Sequence, residues 1–332
     1  MGTGVGHKSS AIDERLKYAA IDLGTNNCRL LVATAGKNGE PRIVDSFSRI
    51  VRLGQGVSHS GNLSEDAIDR TIAALKICAS KVEQRGATSY RCIATQACRR
   101  ASNGQAFLKR VKQETGLEFD IISSEEEARL SVQGCAPLLD RSYEAGLVFD
   151  IGGGSTELSW LRLGERDHDL ERLFWASLPH GVVTLSEDYN GKNLTASHYQ
   201  QIIDLICEGL SKAGDPANIK SVFKNGRAHF LGTSGTVTAI AGIHLGLPRY
   251  QRDKVDGIWL TRDEVRAVSE RLLGMTNEER ASQACISPQR ADLVVCGCAI
   301  LEALLLEWPV EFIRVADRGL REGILVDLIN AA

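Results

Sequence analysis

Asp150 stands two residues before an unbroken run of glycines, Gly152, Gly153 and Gly154, and Ser155, Thr156 and Glu157 follow it. Without a Cβ, backbone amides can approach an anion closely and take positive φ where a turn needs it. The two hydroxyls can donate to the same anion, and Asp150 can hold a cation against it. A phosphate group meets all of these conditions; the alternative is a plain hairpin whose glycines serve geometry alone. A similar set occurs earlier in the chain, where Asp22 is followed by Gly24, Thr25 and Asn26. Two such loops would clamp phosphate from opposite sides, and a third Gly/Thr-rich turn, 232–236, can add to them. Neither common phosphate fingerprint is present. Glu157 occupies the place of the third glycine in G-x-G-x-x-G, and G-x-x-x-x-G-K-[ST] occurs nowhere.

The elements that must position these loops are legible from periodicity. Residues 18–34 read as apolar run, polar turn, apolar run, which predicts a hairpin, and 146–161 repeat the layout. This is an internal duplication of a strand-turn-strand phosphate loop, and two such halves imply two similar domains facing a cleft. Between the hairpins, 63–84 predicts a helix that Ser64 can cap, with Glu65 and Asp66 in its first turn. A strand at 90–95, a helix at 104–115 and a short strand at 119–122 follow. The second half continues with helices near 196–212, 262–273, 289–307 and 319–331, and a strand-turn-helix at 229–242. Strands alternate with helices, so the class is α/β.

Composition narrows the function classes. With 332 residues, 43% of them hydrophobic, the chain can bury two cores. Its net charge of −3 excludes a globally basic nucleic-acid binder while leaving room for a local cationic pocket. The first 17 residues hold no apolar segment of the kind a secretory signal needs, and the apolar stretch 294–308 is too short for a membrane span. A cytoplasmic protein that avoids membranes is expected. The nine cysteines are scattered without a CxxC, which fits reduced core thiols, and the seven histidines form no HExxH. Metal chemistry is therefore expected to use oxygen ligands and a hard cation.

The wording of the loops goes further. The duplicated loop resembles that of the superfamily of actin, Hsp70 chaperones and sugar kinases. AAIDLGTNNCRLLVA (19–33), ATQACR (94–99), ISSEEEARL (122–130), DIGGGSTEL (150–158), SLPHGVVTL (177–185), GTSGTVTAIAG (232–242), RADLVVCGCAIL (290–301) and DRGLREGIL (317–325) resemble, in order, the motifs of the exopolyphosphatase and guanosine pentaphosphate phosphatase family. The resemblance implies an α/β fold of two similar ribonuclease H-like (actin-like ATPase) domains, each a mixed sheet flanked by helices, with the cleft between them. The expected division is a flexible tail at 1–17, a first domain at 18–128 and a second at 129–332, with the last helix, about 319–332, packing back on the first. The motif series ends near residue 325, so the likeness is to the short form lacking a C-terminal helical domain, and shorter polyphosphate chains are the expected preference.

The resemblance also implies roles. Glu127 matches the proposed catalytic base, Glu157 the family's second essential glutamate, Asp150 a metal-binding aspartate and Arg99 the arginine that holds substrate phosphate. The expected metal set is Asp22, Asp150 and Glu157, holding Mg2+ with Mn2+ as the alternative. The expected phosphate contacts are Gly24, Thr25, Asn26, Arg99, Gly152, Gly153, Gly154, Ser155 and Thr156. The reaction implied is release of terminal orthophosphate from inorganic polyphosphate. Guanosine pentaphosphate hydrolysis, an ATP-dependent kinase of the same superfamily and a non-catalytic polyphosphate sensor are the alternatives, and a homodimer is the implied assembly. Phosphoanhydride hydrolysis independently needs an oriented water, charge neutralisation and a grip on phosphate, which a carboxylate, a cation and an arginine supply.

Simpler readings stand beside these. Glu125, Glu126 and Glu127 suit the acidic first turn of a helix capped by Ser123 or Ser124, and Glu126 is the alternative base. Arg99 and Arg100 suit a solvated surface. His180 reads as a loop histidine satisfied locally. Arg52, Arg91, Arg314, Arg318 and Arg321 are expected to line a path for a polyanion.

Overall fold

The computed structural model describes residues 16–36, 39–164, 170–213 and 219–332. The expected tail at 1–17 lies almost wholly outside them. The first lobe opens with the predicted hairpin, β1 (Lys17–Leu23) and β2 (Asn27–Ala35), and adds an edge strand, β3 (Pro41–Ile50). A short helix α1 (Val57–Ser60) leads to α2 (Glu65–Arg85), whose first turn is capped as predicted by the Ser64 hydroxyl accepting from Ala67 N. Such a cap is worth about 1 kcal/mol. Then come β4 (Ser89–Ala94), α3 (Gln96–Arg100), α4 (Gly104–Thr115), β5 (Phe119–Ile121) and α5 (Ser124–Cys135).

The second lobe repeats the plan. β6 (Ala145–Ile151), β7 (Thr156–Arg162) and β8 (Glu171–Leu178) form the antiparallel part, followed by α6 (Val182–Asp188), α7 (Ala196–Ala213) and α8 (Ile219–Lys224). β9 (Ala228–Thr233) runs into α9 (Gly235–His244), and α10 (Arg252–Val255), β10 (Trp259–Thr261), α11 (Arg262–Leu273), α12 (Asn277–Ala281), α13 (Val294–Glu307), β11 (Phe312–Ala316) and α14 (Leu320–Asn330) complete the chain.

The two sheets carry the duplication. The first has the order β3-β2-β1-β4-β5 and the second β10-β11-β9-β6-β7-β8. In each, the hairpin and its edge strand pair antiparallel (β3·β2·β1 and β8·β7·β6) and the next strands join parallel (β1·β4·β5 and β6·β9·β11). Among the described residues, β10 is the strand without a counterpart. Both faces of each sheet are covered. Ala19, Ile21 and Leu23 of β1 face one core with α2 and α4, while Tyr18 and Ala20 pack with Ile324, Leu325 and Ile329 of α14. This is the period-two alternation of a strand buried on both sides.

Two helices join the lobes. α14 lies on the first sheet, and α5, inside which the expected 128/129 boundary falls, contributes Val132 and Cys135 to a core against the second sheet. They cross at backbone contact. A Cβ on Gly134 would lie 1.9 Å from Gly319 O, and one on Gly323 would lie 2.1 Å from Leu130 O. The apolar stretch that includes Cys296 and Cys298 is the buried helix α13. No helix among the described residues is long and apolar enough to cross a membrane.

Candidate active site

The phosphate-type loops sit where the parallel strands end. Asp22 lies on β1 beside Ile93 of β4, and Asp150 lies on β6 beside Thr233 of β9. Ligands in α/β sheets bind outside these carboxyl ends. Between the lobes there opens a cavity of about 1200 Å³. Asp22, Gly24, Thr25 and Asn26 line it from the first lobe, Asp150 and residues 152–155 from the second, and Glu127 from α5. Thr156 and Glu157 do not reach the wall. The Thr156 hydroxyl donates to His180 O at 2.8 Å, and Glu157, only 3% exposed, sits behind the loop.

The glycines answer first to the protein itself. A Cβ on Gly153 would lie 3.0 Å from Thr25 Cβ, and one on Gly154 would lie 2.7 Å from Thr25 Oγ1 and 2.9 Å from Gln96 Cγ. The carbonyls of Gly152 and Gly153 accept from Val182 N and Val183 N at the start of α6, at 3.0 and 2.8 Å. At Gly153 and Gly154 the close approach is thus made by the opposite loop, whereas a Cβ on Gly152 would lie 2.8 Å from Ser155 O of its own loop. Ser155 Oγ is also engaged, donating to Glu157 Oε1 at 2.6 Å, where Ser177 Oγ donates as well at 3.0 Å.

Helix geometry sorts the three glutamates. Ser123 caps α5 by accepting from Glu126 N, so the acidic first turn is real. Successive residues point about 100° apart, and only Glu127 turns into the cleft. Glu125 pairs with Arg172 at 2.7 Å, and Glu126 with Arg129 and Arg91 at 2.7 and 3.2 Å. Those partners hold the Glu126 carboxyl below its ordinary range, Arg129 most strongly, and keep it out of the cavity. Glu126 therefore falls away as a base. Glu127 is raised well above the ordinary carboxyl value by burial first and then by the charge of Glu157, although Arg99 opposes both.

Arg99 itself does not line the cavity. Its Nε and Nη2 donate to Gln96 Oε1 at 3.2 and 3.0 Å, Nη1 to Ile122 O at 2.8 Å, and Nη2 also to Glu127 Oε2 at 2.7 Å. With four bonds made inside the protein, the guanidinium stands behind Glu127 and Gln96 and is largely committed to them. Arg100 is exposed, as the solvated reading had it.

Several buried carboxyls crowd one place. Asp150 is raised to about 7 by burial, with Glu157 and Asp22 adding to the rise. Asp22 is raised by burial, and its Oδ1 is buried with no hydrogen-bond partner. Asp150 receives a bond from Ser131 Oγ at 3.3 Å. Such an arrangement suits a cation. Among the described residues, however, no three His, Cys, Asp or Glu side chains form a ready ligand cluster. Asp22, Asp150 and Glu157 are consequently not one cage, since Glu157 Oε1 is occupied by two serines. Asp22 and Asp150 remain, which fits a Mg2+-like ion that is held by one or two carboxylates and completes its shell with water and phosphate.

The cationic wall differs from the one expected. Arg318 and Arg321 line the cavity, and Arg318 is ion-paired to Asp256. Arg52 instead bridges the lobes to Asp292 at 2.8 Å, Arg91 serves Glu126, and Arg314 donates to Leu138 O and Gly257 O while lying over Trp259. Those three point elsewhere. In their place stand Arg29 and Arg290. Arg29 is the cross-strand neighbour of Asp22, and Arg290 reaches across the lobes to donate to Asn27 Oδ1 at 3.2 Å. Burial, with the charge of Arg29 adding to it, lowers Arg290 to about 10. Burial also lowers Arg321. Among the described residues neither Arg29 nor Arg321 has a hydrogen-bond or ion-pair partner. Arg29 was within reach of sequence reasoning, because it holds in the first hairpin the place that Glu157 holds in the second. Gln96 and Arg290 carried no such signal.

The model of the Ppx/GppA phosphatase family matches residues 31–332. Exopolyphosphatase 2 of Mycobacterium tuberculosis is 30% identical over 325 residues, covering 94% of this chain and 98% of the relative. The solved structure of the Aquifex aeolicus member of the Ppx/GppA protein family superposes with a TM-score of 0.77 at 29% identity, covering 95% of this chain and 98% of that one. A solved exopolyphosphatase-like protein superposes with a TM-score of 0.85 at 27% identity, covering 95% and 99%.

Proposed function

The chain belongs to the Ppx/GppA phosphatase family, and from that premise we propose that it is an exopolyphosphatase, hydrolysing the terminal phosphoanhydride of inorganic polyphosphate and releasing orthophosphate. The observation that carries the reading is one juxtaposition. Glu127, oriented by Arg99, faces the same cavity as Asp22 and Asp150, and the same cavity also presents Arg29 and Arg321, which have no hydrogen-bond or ion-pair partner among the described residues. A base, a cation site and a polyanion path thus share one cleft.

In this reading the substrate chain enters along the arginine wall and places its terminal phosphoryl group before Glu127. Glu127 accepts a proton from the attacking water as the new P–O bond forms, and the bridging P–O bond to the next phosphate breaks, leaving a chain one unit shorter. Burial raises the proton affinity of Glu127, which makes its ionised form the stronger base. A divalent cation at Asp22 and Asp150, magnesium by preference, would offset the charge on the phosphoryl oxygens. Arg29 and Arg321 bind the following phosphates, whose oxygens accept charge-assisted hydrogen bonds from these guanidiniums.

A second reading, hydrolysis of guanosine pentaphosphate, has one observation in its favour. Tyr250, Ile286, Pro288 and Leu293 also line the cavity, apolar and aromatic side chains of the kind against which a nucleoside packs. Phosphate release from tripolyphosphate, long-chain polyphosphate, guanosine pentaphosphate and ATP, each with magnesium, with manganese and with chelator, separates the readings. Cation-dependent release from polyphosphate supports the first, and release from guanosine pentaphosphate alone replaces it with the second. Binding of all four without release would mark a sensor.

A further inference from the structure

Gln96 is the first residue of α3 and lines the cavity next to Thr95. Its amide orientation is determined. Arg99 Nε and Nη2 both donate to the atom facing them, at 3.2 and 3.0 Å, and a guanidinium has no acceptor, so that atom is Oε1. Nε2 then points away from Arg99. Arg99 lies off the cavity wall while Gln96 lies on it, and among the described residues the amide nitrogen has no hydrogen-bond partner.

The side chain is also held in place. Its Cγ would be 2.9 Å from a Cβ on Gly154, so Gln96 is wedged beside the second phosphate loop. The Arg99 Nη2 that binds Gln96 Oε1 is the one that donates to Glu127 Oε2 at 2.7 Å. One guanidinium therefore sets the separation between a carboxylate and an amide donor. The chemistry of the pair is specific. A cationic donor in this position would add a second positive charge beside Glu127 and compete with Arg99 for it, whereas a neutral N–H₂ can hold an anion and leave the Arg99–Glu127 pair as it is.

We propose that Gln96 is a substrate-contacting residue, its Nε2 donating to a non-bridging oxygen of the terminal phosphoryl group and holding that group in line with the water on Glu127. The proposal rests on the hydrolytic reading above. Preorganised donors of this kind act on charge that grows in the transition state.

The test uses two variants of the full chain. Gln96→Met keeps the length and the contact with Gly154 but removes the amide. Gln96→Glu keeps the shape, adds a charge that repels phosphate and competes with Glu127 for Arg99. Phosphate release from tripolyphosphate with magnesium is measured with melting temperature and with calorimetric binding of tripolyphosphate. The expected result is a fall in kcat/KM on the order of 10²-fold for Gln96→Met, with a melting temperature lowered only by the loss of the two Arg99 hydrogen bonds. Gln96→Glu falls further, and tripolyphosphate binds about tenfold more weakly to Gln96→Met than to the wild type. A Gln96→Met enzyme within threefold of wild-type kcat/KM overturns the proposal. If that variant melts earlier than that loss accounts for, Gln96→Glu decides in its place, and wild-type activity in it is equally fatal. A wild type that releases no phosphate from any substrate would sink the hydrolytic reading instead. The binding comparison then still stands, and equal affinities of wild type and Gln96→Met would overturn the contact itself.

Discussion

Arg99 Nη2 lies 2.7 Å from Glu127 Oε2, with both side chains largely buried, at 16% and 13% exposure. The pair joins α3 to α5 across 28 residues of sequence, and it sets one carboxylate oxygen against the guanidinium while the side chain lines the cavity. Arg99 thereby acts on the base and, through Gln96, on the donor beside it.

Arg99→Ala should therefore act on the base before it acts on affinity. Without the guanidinium, nothing opposes the burial and the carboxylate charges that raise Glu127, so the acid limb of the pH–rate profile should move to higher pH and kcat should fall. Breaking a buried pair from one side should also cost about 3–5 kcal/mol of stability. Denaturant unfolding and a pH–rate series check both. An unchanged acid limb with a raised KM would return Arg99 to the substrate.

Glu127→Gln should lose about 10²–10⁴-fold in turnover while binding tripolyphosphate normally. The folded-state pKa of Glu127 is raised above 4.5, so the stability associated with this group is fully present below that value and is lost as pH rises through the folded pKa. At neutral pH a neutral isostere avoids that loss but also gives up the charge pair with Arg99, so the variant should lose less stability than Arg99→Ala does. A variant that turns over at the wild-type rate would remove Glu127 from the chemistry.

Asp150 offers a pH test of the cation site. Its pKa of about 7 exceeds the usual 3.8, so its contribution to stability is present below about pH 4 and declines as pH rises through about 7. A divalent cation needs the ionised form and should reverse that decline. The rise in melting temperature on adding magnesium should accordingly be larger at pH 8 than at pH 5.5, and Asp150→Asn should erase the difference. Equal shifts at the two pH values would place the cation elsewhere.

Arg321→Ala should weaken longer substrates selectively. If the guanidinium meets the phosphates behind the terminal one, KM for tripolyphosphate should rise about tenfold, as for loss of a charge-assisted hydrogen bond, while pyrophosphate is affected less. The salt dependence of KM should shrink with it. Equal effects on both substrates would argue that Arg321 supports the fold of the cleft.

What the amino-acid sequence determined by itself was short-range. The turn chemistry of 22–26 and 150–155 and the apolar runs around them place two hairpins, and the Ser64 cap and the apolar periodicity place α2 and α14, because each rests on residues within a few positions of one another. The edge strand β3 and the strands β8 and β11 were not legible. β3, half exposed with Asp45 and Arg49 along it, has the composition of a surface segment, and its hydrogen-bond partners come from β2. The residues that do the chemistry were named partly by their motifs, but their directions were decided by tertiary structure. The packing of α5 and α14 across both lobes brings Arg29, Arg290 and Arg321 to one wall, turns Glu127 inward while Glu125 and Glu126 turn out, and presses Gly153 and Gly154 against Thr25. A side chain's partner is a neighbour in space, and no local pattern records which distant segment the fold will bring beside it.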